Sequence, residues 1–369
     1  MYKRLIALNG LAILAVVLNH AGGWGEVAMF WWTHRYRAVS VPNFDAVGSP
    51  SYDISMAIHL LTTFAVPAFL FASGFFVAYA AQGSAKGLSW KVMTVRVVAI
   101  LIPYAIWSVA LFVGDALQGK TYAPMEYVLR LTLMGANGGY YFIPVLCIFY
   151  LMSPVLVPLA RSRWKLLLAG SALVQLIPMS LRYFRLFGVS FPGLPQLIDW
   201  TPDQIFIRWA FFFPLGLVCG LHVDALGRWL VSHRRGLAAA FVAAYVLYLA
   251  ESEIVFRVTP DHWRQGVSGI MFSVYAVAAI LAFLALAEGR APSVKRLGQL
   301  GTRSYGIYLL HFTIIEIMAR LIYHFAPWML GVQALLQPLL FTVGLGVPLL
   351  MMRVWAKSPL RGSYRYLFG

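Results

Sequence analysis

Residues 5–21 read Leu-Ile-Ala-Leu-Asn-Gly-Leu-Ala-Ile-Leu-Ala-Val-Val-Leu-Asn-His-Ala. Only Asn9, Asn19 and His20 bring polar side chains into this apolar run. A helix of about 17–25 such residues crosses a hydrocarbon core of roughly 30 Å. Lys3 and Arg4 precede the run as they would in a cleavable signal peptide. Its internal polar side chains and the further apolar runs downstream favour an uncleaved first span instead.

The pattern recurs to the end of the chain. Apolar stretches at Ile58–Ala81, Val97–Val113, Tyr140–Ala160, Leu166–Leu181, Ile205–Leu221, Leu237–Ala250, Val267–Ala287, Tyr305–Ile322 and Leu335–Met352 read as further spans. The seventh is short and could run on towards Val255. The 369 residues are 61% hydrophobic and only 11% charged, against about 25% charged in a soluble domain. Inside lipid every backbone polar group needs a partner within the protein, which leaves helices or closed barrels. Continuous runs, rather than short alternating ones, select helices. The expected fold class is all-α, a polytopic transmembrane helix bundle of about ten spans.

Charge sets the expected orientation. With Lys3 and Arg4 on the cytoplasmic side, alternate connections hold Lys86, Lys91 and Arg96, then Arg161, Arg163 and Lys165, then Arg228, Arg234 and Arg235. Arg290, Lys295, Arg296 and Arg303 follow, and then Arg353, Lys357, Arg361 and Arg365. Of the acids, that side takes only Asp224 and Glu288. The positive-inside rule gives N-in and C-in. The net charge of +16 is thereby accounted for by helix-end loops that meet anionic lipid headgroups, and no nucleic-acid partner is implied. Cys147 and Cys219 fall inside spans without metal spacing, as apolar packing residues.

The long connections lie on the outer side: Gly22–Ala57, Gly114–Gly139 and Arg182–Gln204. The first holds Trp24, Trp31, Trp32, His34, Arg35, Tyr36 and Arg37, which reads either as an interfacial aromatic belt or as a lid over a cleft. No internal repeat is evident.

A few polar residues inside the spans are candidates for chemistry, because ionisable groups in lipid are expensive. His20 is either an interfacial or bundle-bonded histidine, or a general base. Glu316 and Arg320, four apart, share one helix face as a mutual pair facing the bundle interior or as substrate contacts. His311 begins the same stripe. Arg208, near the outer end of its span, could snorkel to the interface. Ser73-Gly74 reads as a small-residue helix contact, and Pro103, Pro144 and Pro154 bend their helices. Walker, G-x-G-x-x-G, H-E-x-x-H and G-x-S-x-G elements are missing, so ATP-driven transport, zinc hydrolysis and serine-hydrolase chemistry lack their residues.

Six segments carry a family likeness in order. They are Asn9 to His20; Val66-Pro67-Ala68-Phe69-Leu70-Phe71-Ala72-Ser73-Gly74-Phe75; Arg96 with Pro103-Tyr104; Tyr140-Tyr141-Phe142-Ile143-Pro144-Val145 with Tyr150-Leu151-Met152-Ser153-Pro154; Phe212-Phe213-Pro214-Leu215-Gly216; and Ser304-Tyr305-Gly306-Ile307-Tyr308-Leu309-Leu310-His311. Together they resemble the integral-membrane acyltransferase-3 family, multi-spanning bacterial enzymes that acylate carbohydrates. The resemblance covers nearly the whole chain, and it implies a single acyltransferase-3-like domain over residues 1–369 in the bacterial cytoplasmic (inner) membrane. It further implies O-acyl transfer from acyl-CoA, as cosubstrate with no bound cofactor and no metal, to a sugar or glycolipid acceptor. His20 would be the catalytic base and Arg96 the donor-side residue. Tyr141, Glu316, Arg320 and Arg208 would contact the acceptor or hold the site. The family pattern departs at two places. Its arginine eleven positions before the histidine is Asn9 here, and its cytoplasmic arginine pair is Met93 and Arg96. These departures support a second reading, a catalytically degenerate member serving as a structural or assembly subunit beside a membrane-protein partner. A carrier for a lipid-linked intermediate is a third.

Overall fold

The computed structural model describes residues 1–82, 88–199, 206–258, 269–287 and 291–369. Lys86, Glu288 and Arg290 lie outside the described residues. So do Ile205 and Val267, which begin two expected spans, and the last residues of the Arg182–Gln204 connection.

The helices in chain order are α1 (Tyr2–Phe30), α2 (Pro50–Thr62), α3 (Ala65–Gln82), α4 (Trp90–Leu117), α5 (Pro124–Leu129), α6 (Phe142–Ser162), α7 (Trp164–Leu186) and α8 (Leu194–Asp199). They continue with α9 (Phe212–Leu221), α10 (Val223–Ser232), α11 (Arg234–Val258), α12 (Ile270–Leu286), α13 (Pro292–Gly301), α14 (Ser304–Phe325), α15 (Gln333–Lys357) and α16 (Tyr364–Phe368). No strand occurs among the described residues. Among the described residues, eight helices are long and apolar enough to cross a membrane, with α2 and α3 forming one of them over Pro50–Gln82. Phe206–Leu221 and Val223–Ser232 form a pair bent by 98° that passes the same test together, and α12 is a shorter apolar helix. A helix therefore stands at each of the ten expected runs. The seventh, α11, does run past Val255.

The connections are shorter than the sequence suggests. Gly22-Gly23-Trp24-Gly25 reads as a helix end, yet α1 continues through it to Phe30. A Cβ on Gly25 would sit 2.6 Å from Gln337 Nε2 and 2.7 Å from Gln333 Oε1, so Gly25 admits two α15 amides rather than stopping the helix. Helix α2 then starts at Pro50, where the Ser49 side chain accepts from the Tyr52 N–H. The Gly114–Gly139 segment contains the end of α4, α5 and a π-helical turn at Arg130–Met134. Much of Arg182–Gln204 is likewise helical, as the end of α7 and α8.

The chain forms two compact units: Val66–His233 with Ser358–Gly369, and Tyr2–Ala65 with Arg234–Lys357. In the first unit, α3 and α9 meet through glycines. A Cβ on Gly74 would lie 2.1 Å from the Phe213 carbonyl oxygen, and one on Gly216 would lie 1.9 Å from that of Phe71. This is the small-residue contact expected at Ser73-Gly74, and it lets backbones approach where lipid offers no hydrophobic drive. The Arg161 Nη2 group donates to the Ala81 carbonyl at 2.6 Å, at the C-terminal end of α3, where a helix favours a cation. Cys147 is buried in α6 and Cys219 half-buried in α9, and both are free thiols.

In the second unit, α1 crosses α13 as closely. Cβ atoms on Gly10 and Gly301 would each come within 1.9 Å of a facing carbonyl, those of Leu297 and Ile6. The Arg4 Nη1 group donates to the Leu284 carbonyl at the end of α12 (2.9 Å). The break between α2 and α3 decides how the centre of this unit is built. Pro67 lacks an N–H and sits in the first turn of α3, where proline is tolerated, while the end of α2 leaves carbonyls without helical partners. In lipid each needs one. His59 O accepts from Thr62 Oγ1 (2.7 Å) and Asn19 Nδ2 (3.3 Å), Leu60 O accepts from Thr63 Oγ1 (2.7 Å), and Leu61 O accepts from the Tyr275 hydroxyl.

Candidate active site

The carbonyl repair at the end of α2 draws a polar cluster into the middle of the second unit. Asn19 of α1 donates through Nδ2 to Thr62 Oγ1 (2.8 Å) and to His59 Nδ1 (3.3 Å). Because Asn19 Nδ2 is a donor, His59 Nδ1 is the acceptor, so the neutral His59 ring carries its proton on Nε2. His20, the next residue on α1, faces α14. Its ring lies 5.2 Å from that of His311, with the planes inclined at 38°, and 5.0 Å from Phe312 in an edge-on contact. His59 is also within electrostatic reach of His20.

His311 is the most tightly held of the three. It is 1% exposed, and its Nδ1–H donates to the carbonyls of Tyr308 (2.8 Å) and Ile307 (3.1 Å). That pins the tautomer and leaves the Nε2 lone pair buried with no hydrogen-bond partner. Such an atom forfeits its hydration unless a ligand or water supplies a donor. Among the described residues no group of three His, Cys, Asp or Glu is arranged to hold a metal ion. Three imidazoles, one with an unfilled acceptor, are groups that can take a proton from a hydroxyl.

The other expected residues divide between the two units. Arg96 is half-buried near the start of α4 in the first unit, where the Tyr150 phenol lies within its electrostatic reach and is hydrogen-bonded to Ser73. Met93 is buried. The Tyr141 ring stacks on Trp209 at 6.0 Å and 30°, held by a turn in which Gly135 has φ +81° and no room for a Cβ beside Tyr140 and Tyr141. Arg208, next to Trp209, is only 1% exposed. The snorkelling reading is thus corrected: its 3-10 turn carries the guanidinium inward.

In the second unit, Arg320 Nη2 and Nε reach Glu316 Oε1 at 2.7 and 2.9 Å. The side chains are 48% and 31% exposed, so the pair faces outward and not into the bundle interior. Buried Ile315 and Ala319 occupy the inner face of that helix. Asn9 lies beside Gly10 at the α1–α13 crossing, and its Oδ1 is buried without a hydrogen-bond partner.

Two members of the cluster, Asn19 and His59, did not stand out in the sequence as candidates. The available signal was a histidine placed inside an apolar run about two turns before Val66-Pro67.

All-helical in its described residues, with eight helices long and apolar enough to cross a membrane, the chain falls in the class of polytopic helical membrane proteins. The chain matches the family model described as Acyltransferase domain (Acyl_transf_3) over residues 2–353, and it belongs to the acyltransferase-3 family. It is accordingly a multi-pass membrane acyltransferase in general terms. A search of curated proteins found no match, and neither did a search of solved structures.

Proposed function

We propose that the chain transfers an acyl group, acetyl in the simplest case, from cytoplasmic acyl-CoA to a hydroxyl of a sugar or glycolipid at the outer face of a bacterial inner membrane. The observation that carries this reading is the His20–His311 pair, two imidazoles 5.2 Å apart with a buried acceptor nitrogen that lacks a donor. In the reaction, His20 takes the proton of the acceptor O–H. The oxygen attacks the thioester carbonyl carbon, the C–S bond breaks, and the imidazolium returns the proton to the departing thiolate. Oxygen gains the acyl group and CoA leaves as its thiol. Arg96 is the proposed donor-side cation, and the basic cytoplasmic loops attract the CoA phosphates. Tyr141 and Arg208 are proposed for acceptor contact.

The test uses purified chain in vesicles with labelled acetyl-CoA and a mixed sugar acceptor. Thiol release coupled to label in the acceptor is expected, and it falls about 10²–10⁴-fold in His20→Ala. A folded His20→Ala chain with unchanged transfer would remove His20 from the reaction. Asn9 supports the alternative of an assembly subunit, since it takes the place of the family's first-span cation. Stoichiometric co-purification with another membrane protein, without acyl-CoA binding, would decide for that alternative.

A further inference from the structure

Trp24 follows His20 by one turn on the same face of α1, and helical side chains lean back over the preceding turn. Its indole therefore lies over the turn of α1 that carries His20. The Trp32 ring lies 5.2 Å from Trp24 and the Tyr323 ring 4.9 Å from Trp32, so a run of aromatic faces leads away from His20. The far end of the run is fixed in place. His34 Nδ1–H donates to Trp31 O (3.2 Å), which makes Nε2 the acceptor for the Tyr323 hydroxyl (3.2 Å). Arg35 donates twice to Tyr323 O (3.3 and 3.2 Å) and places its guanidinium 4.8 Å over the ring. Trp24, Trp32 and Tyr323 are half-buried, whereas Trp31 and Trp328 are exposed in the manner of an interfacial belt.

We propose that Trp24 and Trp32 form a stacking platform for the ring of a pyranoside acceptor, presenting one of its hydroxyls to His20 and His311. This rests on the acyl-transfer reading. Two independent features point to that chemistry. The bare Nε2 of His311 asks for an O–H donor, and the rigid indoles ask for a flat C–H face. One helical turn, about 5.4 Å, separates His20 from Trp24 along α1, which is close to the breadth of a six-membered sugar ring. A straight-chain alcohol satisfies the first feature and not the second. Tyr323, at the far end of the run, is held before any ligand arrives, so little ordering of that ring is needed on binding.

The experiment compares methyl pyranosides with acyclic polyols as acceptors for acetyl-CoA in vesicles, using the full chain and its Trp24→Leu, Trp32→Leu and Trp24→Phe variants. Saturation-transfer NMR of the same pyranosides on the solubilised protein runs alongside. For the Leu variants, KM for pyranosides rises about tenfold with kcat within threefold, polyols are unaffected, and ring C–H signals disappear. Trp24→Phe recovers most of the loss. Unchanged pyranoside KM, or an equal loss with polyols, overturns the platform and leaves acyl transfer standing. If no acceptor is acylated even by the native chain, the acyl-transfer reading falls and NMR decides the platform. Ring signals lost only in the Leu variants uphold it, and their absence from the native protein overturns it.

Discussion

His20 and His311 approach to 5.2 Å between ring centroids, and only His311 has its second nitrogen committed to main-chain carbonyls. Under the proposed reaction the two rings would serve one proton rather than two separate tasks. If so, their contributions to turnover are strongly non-additive. His311→Phe alone is expected to lower kcat at least tenfold. The His20→Ala, His311→Phe double variant is expected to fall within about threefold of His20→Ala. Turnover of all four proteins with labelled acetyl-CoA checks this, and losses that simply multiply would separate the two histidines.

The glycine crossings are predicted to be the stability-critical contacts. A Cβ at Gly216 would lie 1.9 Å from the Phe71 carbonyl oxygen, and one at Gly301 the same distance from that of Ile6. Backbone, unlike a side-chain tip, cannot swing aside. Gly216→Ala and Gly301→Ala should each cost about 1–3 kcal/mol, seen as a lower unfolding temperature in detergent. Gly114 is helical, with open space where its Cβ would go. Gly114→Ala should hold or raise the transition, by up to about 1 kcal/mol.

What the sequence revealed, and what it hid, follows from the range of the forces involved. Apolar runs betray spans because the bilayer acts on every residue alike, and Ser73-Gly74 betrays a crossing because small side chains have few other uses there. Gly22 to Gly25 misled for the opposite reason. Glycine ends helices in water, but here the amides of Gln333 and Gln337 need the space. Arg208 looked free to snorkel, since nothing local shows that its turn faces inward. His59 stayed hidden because its importance depends on Asn19, forty residues earlier, and on carbonyls orphaned by the break before Pro67. Fold is a sum of local signals; this site is a set of long-range ones.

The outward-facing Glu316–Arg320 pair should matter little to turnover. Its side chains are 48% and 31% exposed and lie off the inner face of α14 that carries His311, Ile315 and Ala319. Glu316→Gln and Arg320→Gln are expected to keep kcat and KM within about threefold. A loss above tenfold with stability intact would bring the pair back to the acceptor.

Orientation decides which substrate meets which face, and the loops make it testable. Ser40 is exposed in the connection between α1 and α2, whereas Ser232 is exposed at the end of α10, among Arg228, Arg234 and Arg235. The basic segment should be cytoplasmic. The native thiols lie within α6 and α9 and can be replaced by alanine to clear the background. In intact cells, Ser40→Cys should then react with a membrane-impermeant maleimide, and Ser232→Cys only after permeabilisation. Helices α1 and α14 run in the same direction, since Ile6 meets Gly301 just before α14 and His20 meets His311 further along. One such pair of labels therefore orients both helices that carry the histidines. Labelling of Ser232→Cys from outside would put the basic loops, and with them the proposed CoA side, on the wrong face for a cytoplasmic donor.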